Sequence, residues 1–373
     1  MTKQIPPGLL PEGLRDRLPP EAEAAARLLR TVTDSIASYG YERVSPPLAE
    51  FEEGLVGQLK SDGSQDLLRI IDPVSRRTLA LRPDITAQIG RIASTRMAGR
   101  PRPLRLAYGG EILKLRATQL RPERQLIQVG AELIGADSVA AASEILSVAV
   151  DALSGAGVAD ITVDLTLPDL VPTLAHGPFP LAPELVEPVR AELDEKDAGA
   201  IAALGADAYL PLIHAAGPVD RALERMRAID AGGALKSRLD GVEQIAAALD
   251  GRATITLDPT ERHGFEYQSW LGFSLFGAGI AGEIGRGGSY TICGPDGGEE
   301  PAMGFSLYLD PLVDAGLGAK DKRRLFLPLG TDAALAKKLR SEGWRTVAAL
   351  SPEDEADALG CTHFLAKDGP EQL

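Results

Sequence analysis

Apolar residues recur every four positions at Leu28, Val32 and Ile36, after Pro19 and Pro20 and before Gly40. That spacing places one apolar stripe on a helix, with prolines suited to its first turn and a glycine to end it. Residues 41–44 read as a short strand, which Pro46 and Pro47 drive into an extended exit. The runs LLRIID (67–72) and TLALR (78–82) flank a turn-forming PVSRR and predict a hairpin. Ile85, Ile89 and Ile92 mark one face of a further helix ending near Gly99.

The stretch 124–134 alternates with period two, the mark of a strand whose successive side chains face opposite sides. Ile127, Val129, Ala131 and Leu133 form an apolar face, and Leu126, Gln128, Gly130, Glu132 and Ile134 form the other. Gln128 and Glu132 thus point the same way with only Gly130 between them. A small molecule could lie on the backbone there while both side chains bond it, and a solvated polar sheet face is the plainer alternative.

An Ala-rich helix over 138–153 and an alternating strand over 160–166 follow. From about 170 to 250 Ala, Leu, Glu and Arg dominate, which predicts a helical insertion. Strands resume at 253–258 and continue through 264–277 and 287–294. Residues 315–322 have linker composition. Beyond them a β-α-β-α-β unit is predicted, with Thr331 as the N-cap of its first helix, Gly343 as its stop, and a short acidic second helix before CTHFLA. The expected architecture is α+β: an antiparallel sheet flanked by helices in a core spanning 1–316, a helical insertion, and a small α/β unit at 323–373.

The chain has 373 residues, 44% hydrophobic and 25% charged, which suits a large folded core. Its net charge of -14 opposes a broad nucleic-acid surface, because phosphate binding relies on clustered Lys and Arg. Cys293 and Cys361 stand apart without a metal-ligand spacing, and His176, His214, His263 and His363 show none either, so no metal site is expected. No apolar run reaches membrane-spanning length and the first residues lack a secretory apolar core, so a cytoplasmic location is expected. The loop 114–124 collects Lys114, Arg116, Arg121 and Arg124, either to bind phosphate or an acidic partner or as an ordinary solvated loop. GRGGS (285–289) lacks the Lys-Ser/Thr of a phosphate loop and is read as a hairpin turn. Asp258 and Glu261 beside His263 carry no assignable reaction.

Several ordered segments resemble one family. YGYERVSPPLAEFE, beginning at Tyr39 and ending at Glu52, is similar to motif 1 of class II aminoacyl-tRNA synthetases. LRPDITA (81–87) resembles the LRPEGTA segment of histidyl-tRNA synthetase, the block 108–135 matches the motif 2 region without a gap, GFEY (264–267) stands at the GLDYY signature, and 302–312 stands at motif 3. The span from about 10 to 317 therefore resembles the catalytic core of histidyl-tRNA synthetase, and more closely its non-catalytic paralogues, the regulatory subunits of ATP phosphoribosyltransferase.

The resemblance implies a histidine pocket. Asp84 stands for a glutamate that holds the amino group, Thr86 and Gln128 for residues that orient the amino and carboxylate ends, Glu132 for the acceptor reading the imidazole, and Tyr267 for one of two ring-reading tyrosines. The second tyrosine is Gln268 here, and the arginine preceding the signature falls at His263, with Arg262 adjacent. The ATP side departs further. Adenylation needs planar guanidinium groups clamping the polyphosphate, yet Lys114 replaces the motif 2 arginine, Arg116 replaces a glutamate, and Pro311 replaces the motif 3 arginine. The C-terminal unit is shorter than the family's anticodon-binding domain.

These departures imply no catalytic residues, no cofactor and no tRNA partner. The expected function is that of a regulatory subunit that assembles with a short-form ATP phosphoribosyltransferase catalytic chain, transmits histidine feedback, and dimerises through residues 39–52. The rival readings are an active histidyl-tRNA synthetase or free amino-acid-activating enzyme, and a stand-alone histidine-binding module.

Overall fold

A computed structural model describes residues 8–55, 67–116, 122–262, 268–320 and 323–373, without the side chains of Ala231 and Gln268. The chain divides into two compact units, Met1–Gly318 and Ala319–Leu373.

The first unit opens with α1 (Glu21–Ser38), which buries Leu28, Val32 and Ile36, and a two-residue strand β1 (Glu42–Arg43). Strands β2 (Ala49–Phe51), β3 (Leu68–Ile71) and β4 (Thr78–Leu81) form a small antiparallel sheet in the order β2-β4-β3, with α2 (Glu52–Leu55) after β2. Helix α3 (Thr86–Ser94) stops short of Gly99. The cause is local: Thr95 Oγ1 donates back to Arg91 O at 2.5 Å, and Arg102 takes the Ala93 and Met97 carbonyls.

Strands β5 (Leu104–Leu113) and β6 (Gln125–Ile134) pair antiparallel along their full length. Helix α4 (Val139–Gly155) follows, with Ser138 as N-cap accepting from Ala141 N. After β7 (Thr162–Thr166) the insertion contributes α5 (Leu170–Ala175), α6 (Pro183–Asp194), α7 (Ala198–Ala203), a two-residue strand β8 (Gly217–Pro218), α8 (Val219–Ile229) and α9 (Lys236–Ala248). Strands β9 (Thr254–Leu257), β10 (Gln268–Phe276), β11 (Gly285–Cys293) and β12 (Glu299–Tyr308) then lead to α10 (Asp310–Asp314).

The large sheet runs β1-β5-β6-β12-β11-β10-β7-β9-β8. Its centre is antiparallel, while β1 joins β5 and β9 joins β7 in parallel. Val129, Ala131 and Leu133 of β6 pack with α1 and α4 in the main core, which continues into the insertion through Leu193, Met226 and Ile245. The opposite face of the central strands carries a second core, where Ile85, Ile89 and Ala93 meet Leu106, Tyr108, Ile112, Leu126 and Tyr290. The sheet is therefore covered on both sides, and the polar residues of β6 lie in a covered layer.

GRGGS is not a turn. It lies inside β11 and is paired on both flanks, Gly287 against Phe273 and Phe305, because the missing side chain leaves room for the Phe273 ring and the backbone of β12.

The second unit contains β13 (Arg324–Leu327), α11 (Ala333–Ser341), β14 (Arg345–Ala348), β15 (His363–Ala366) and β16 (Gly369–Gln372) in the order β14-β13-β15-β16. Leu325 and Leu327 pack on Ala336 and Leu339. Asp332, not Thr331, caps α11 by accepting from Leu335 N at 2.9 Å. The acidic second helix does not form: Asp354 accepts from Leu350 N and Ser351 N, diverting the backbone into turns. A final hairpin strand, β16, was not expected.

Candidate functional site

The site lies where the segment 82–86 crosses the covered polar face of β5, β6 and β12. Cross-strand register sets its floor: Gly110 lies opposite Gln128, and Tyr108 opposite Gly130. On the other side of β6, Ser306 pairs with Gly130 and Gly304 with Glu132. Gln128, Gly130 and Glu132 share this face, as their alternation requires. The backbone at Gly130 is not open to a ligand, because the Tyr108 hydroxyl occupies the position of its absent side chain.

Asp84 sits at the entrance to α3, where its Oδ1 accepts from Thr86 N at 2.7 Å and the first amides of the helix favour negative charge. Gln128 is held at both ends of its amide. Its Oε1 accepts from Ile85 N at 2.9 Å, while Nε2 donates to Asp84 Oδ2 at 2.6 Å and Ser306 Oγ at 2.7 Å. Tyr108 Oη donates to Glu132 Oε1 at 3.1 Å and lies 2.8 Å from Ser306 Oγ and 3.3 Å from Thr86 Oγ1. Tyr290 Oη donates to Glu132 Oε2 at 2.7 Å.

The structure thus brings Asp84, Thr86, Gln128 and Glu132 into one hydrogen-bonded group, while Tyr267 lies outside the described residues. Burial pushes the Glu132 carboxyl up to about 8, the Asp84 charge adds to the rise, and the two phenols oppose it. Burial also lifts the Tyr108 phenol well above its ordinary range. A desolvated carboxyl beside a second carboxylate would gain from a donor-rich or cationic ligand.

Tyr108, Tyr290 and Ser306 were not singled out from the sequence. Each lies on a strand flanking the Gln128–Glu132 face in space but remote in sequence, so the missing signal was strand order and register.

Lys114, Arg116 and Pro311 line a neighbouring cleft of about 790 Å³ with Leu126, Tyr308 and Arg286. Lys114 Nζ lies 5.2 Å from the Tyr308 ring centroid, and Arg286 forms a bidentate pair with Glu283. The carboxylate beside Pro311 is also engaged: Asp310 pairs with Arg17 and accepts from Ile127 N. In the loop preceding β6, Arg124 donates to Glu12 O and Lys114 O, and Arg121 lies outside the described residues. Among the described residues no group of His, Cys, Asp and Glu is placed to hold a metal ion, and no helix is long and apolar enough to cross a membrane.

A family model for histidyl-tRNA synthetase matches residues 13–312. An ATP phosphoribosyltransferase regulatory subunit from Paramagnetospirillum magneticum is 43% identical over 379 aligned positions, covering 99% of this chain and 99% of that protein. The chain belongs to the family of ATP phosphoribosyltransferase regulatory subunits. Its fold is shared by a crystal structure described as an ATP phosphoribosyltransferase regulatory subunit/histidyl-tRNA synthetase from Bacillus halodurans, at TM-score 0.81 and 24% identity over 96% of this chain and 97% of that one. A chain of the ATP phosphoribosyl transferase complex from Thermotoga maritima superposes at TM-score 0.60 and 16% identity, covering 77% of this chain and 97% of that one. The chain thus sets a buried, mutually hydrogen-bonded polar group next to a cleft lined by Lys114, Arg116 and Pro311.

Proposed function

We infer that this chain acts as the non-catalytic regulatory subunit of an ATP phosphoribosyltransferase in histidine biosynthesis, assembling in the cytoplasm with a short-form catalytic chain. The observation that carries this reading is the full-length 43% identity to a regulatory subunit. The cleft supports the absence of adenylation: a lysine cannot reproduce a guanidinium fork, and Pro311 offers no donor at all. The cluster Asp84, Thr86, Gln128 and Glu132, with Tyr267 added from the sequence resemblance, is the candidate histidine site. It supplies carboxylates for the ammonium and acceptors for the imidazole. Feedback then follows if histidine binds the assembled and free states with different affinity, since such coupling is reciprocal.

Self-association through residues 39–52 belongs to the same reading. The small sheet that begins in this segment exposes Phe51, Ile70 and Ile71 beside Leu48 and Val74, a concentration of large apolar side chains suited to burial in an interface.

The test mixes the purified chain with a short-form catalytic chain and measures mass by light scattering and phosphoribosyl transfer, each with and without histidine. A stable hetero-complex, activation on mixing and a histidine-dependent loss of activity are expected. Absence of both complex and activation would overturn the reading. Histidine-dependent exchange of pyrophosphate into ATP by the isolated chain would favour the synthetase instead.

A further inference from the structure

The candidate histidine site contains two carboxyl groups, but a zwitterionic amino acid also brings a carboxylate. The arginine that precedes the signature in the family is His263 here, and the adjacent Arg262 pairs with Glu187 of α6 at 2.8 Å. Arg286 is committed to Glu283.

Arg82 is differently placed. It is 6% exposed, and three contacts fix its stem: Nε donates to Glu111 O at 2.8 Å, and Nη1 to Pro46 O at 3.0 Å and more weakly to Gln88 Oε1. Its Nη2 has no hydrogen-bond partner among the described residues. That nitrogen stands over Gly110, in the space a side chain there would fill. Gly110 pairs directly with Gln128, so Nη2 rests on the ligand face beside the Gln128 amide. Among the described residues Nη2 is not one of the fully enclosed polar atoms that lack a partner, so it keeps solvent access and can be bonded by water or by a ligand.

Arg82 and Asp84 flank Pro83 at the bend that leads into α3. Burial lowers the guanidinium's hold on its proton, and the charges of Glu111, the largest, then of Asp84 and Glu50 oppose that.

We propose that Arg82 and Asp84 form a zwitterion clamp, in which Arg82 Nη2 donates to the ligand's α-carboxylate while Asp84 takes its ammonium. This rests on the reading of the site as an amino-acid pocket and assigns its carboxylate end to Arg82.

The test compares L-histidine, L-histidinol and L-histidine methyl ester by calorimetry on the full chain, with Arg82→Lys, Arg82→Gln and Gly110→Ala. Loss of a charge-assisted hydrogen bond corresponds to about a 10- to 100-fold change in affinity. The wild-type chain is expected to prefer histidine to histidinol and the ester by that factor. Gly110→Ala, whose methyl group would take the space of Nη2 and so shift the rigid guanidinium off the ligand face, and both Arg82 variants should weaken histidine to the level of histidinol, with histidinol changed less than about 3-fold. Equal binding of all three ligands by the wild-type chain overturns the clamp even where a variant does not fold. An unchanged histidine-to-histidinol ratio in folded Gly110→Ala also overturns it. Binding of none of the three overturns the amino-acid pocket itself, and the clamp with it.

Discussion

Replacing Glu132 by glutamine tests the electrostatics of the buried site. In the folded chain the Glu132 carboxyl is pushed up to about 8 from an ordinary 4.5, first by burial and then by Asp84. Between those two values the folded chain binds a proton that the unfolded chain has released, so stability falls as pH rises through the window. Each unit corresponds to about 1.4 kcal/mol, giving a cost of about 3 kcal/mol at pH 7 as an upper bound. Glutamine has the same shape and cannot ionise. Its amide donates where the protonated carboxyl does, so one phenol of Tyr108 or Tyr290 accepts in both proteins, and only the altered geometry of the amide separates them at low pH. Glu132→Gln should therefore be near neutral or slightly destabilising at pH 5, and its advantage over wild type should grow by about 1.4 kcal/mol per unit toward pH 8. Urea unfolding of both proteins at pH 5, 6, 7 and 8 measures this. A stability difference that stays flat across the series would refute the assignment of a buried, protonated Glu132.

Tyr290→Phe removes the donor to Glu132 Oε2, so urea unfolding should show a loss of about 1–2 kcal/mol at pH 8 and a smaller one at pH 5.5. Gly304→Ala would place a methyl group in the space of that same carboxylate oxygen. It should cost about 3 kcal/mol or more by thermal denaturation, and Glu132→Ala in the same chain should recover part of the loss. Lys196→Met leaves Asp258 without its 2.8 Å ion pair, and the buffered shift in melting temperature should correspond to about 1–3 kcal/mol, greatest above pH 7, where Glu261, pushed up to about 7 by burial and by Asp164 and Asp258, has also ionised. Phe51→Asp, on the exposed small sheet, should convert a dimer measured by light scattering into a monomer with unchanged circular dichroism.

Local chemistry carried most of the fold into the sequence. The stripe Leu28, Val32 and Ile36, the alternation through β6 and the Ala-rich α4 each report their surroundings directly, because period and face are set by neighbouring residues. The errors came where flanking strands, or a side chain bonding its own turn, decide. GRGGS has turn composition, but two flanking strands with Phe273 and Phe305 make it a strand interior. The acidic segment near Asp354 has helical composition, but one carboxylate accepting two amides outweighs a short helix. The candidate site was half legible for the same reason. Alternation alone aligned Gln128 with Glu132, whereas Tyr108, Tyr290 and Ser306 reach them only through the order β5-β6-β12-β11.

The buried glutamate and the neighbouring cleft make different demands on the scaffold. Lys114, Arg116 and Pro311 line a cleft of about 790 Å³, where Lys114 is half-buried and Arg116 exposed, so their charges stay solvated. Glu132 has no such latitude, because it is fully enclosed with Asp84 nearby and both of its oxygens are hydrogen-bonded by phenols. Retaining it in a covered layer of the sheet is unfavourable for folding above its ordinary titration range, so simple stability does not account for it. A ligand that supplies an ammonium or imidazolium would reverse that penalty, drawing the carboxyl toward ionisation and releasing a proton on binding. Histidine titrations at pH 7 in two buffers of different ionisation enthalpy should then give different apparent heats, whereas equal heats would show that Glu132 keeps its proton and bonds the ring as a donor.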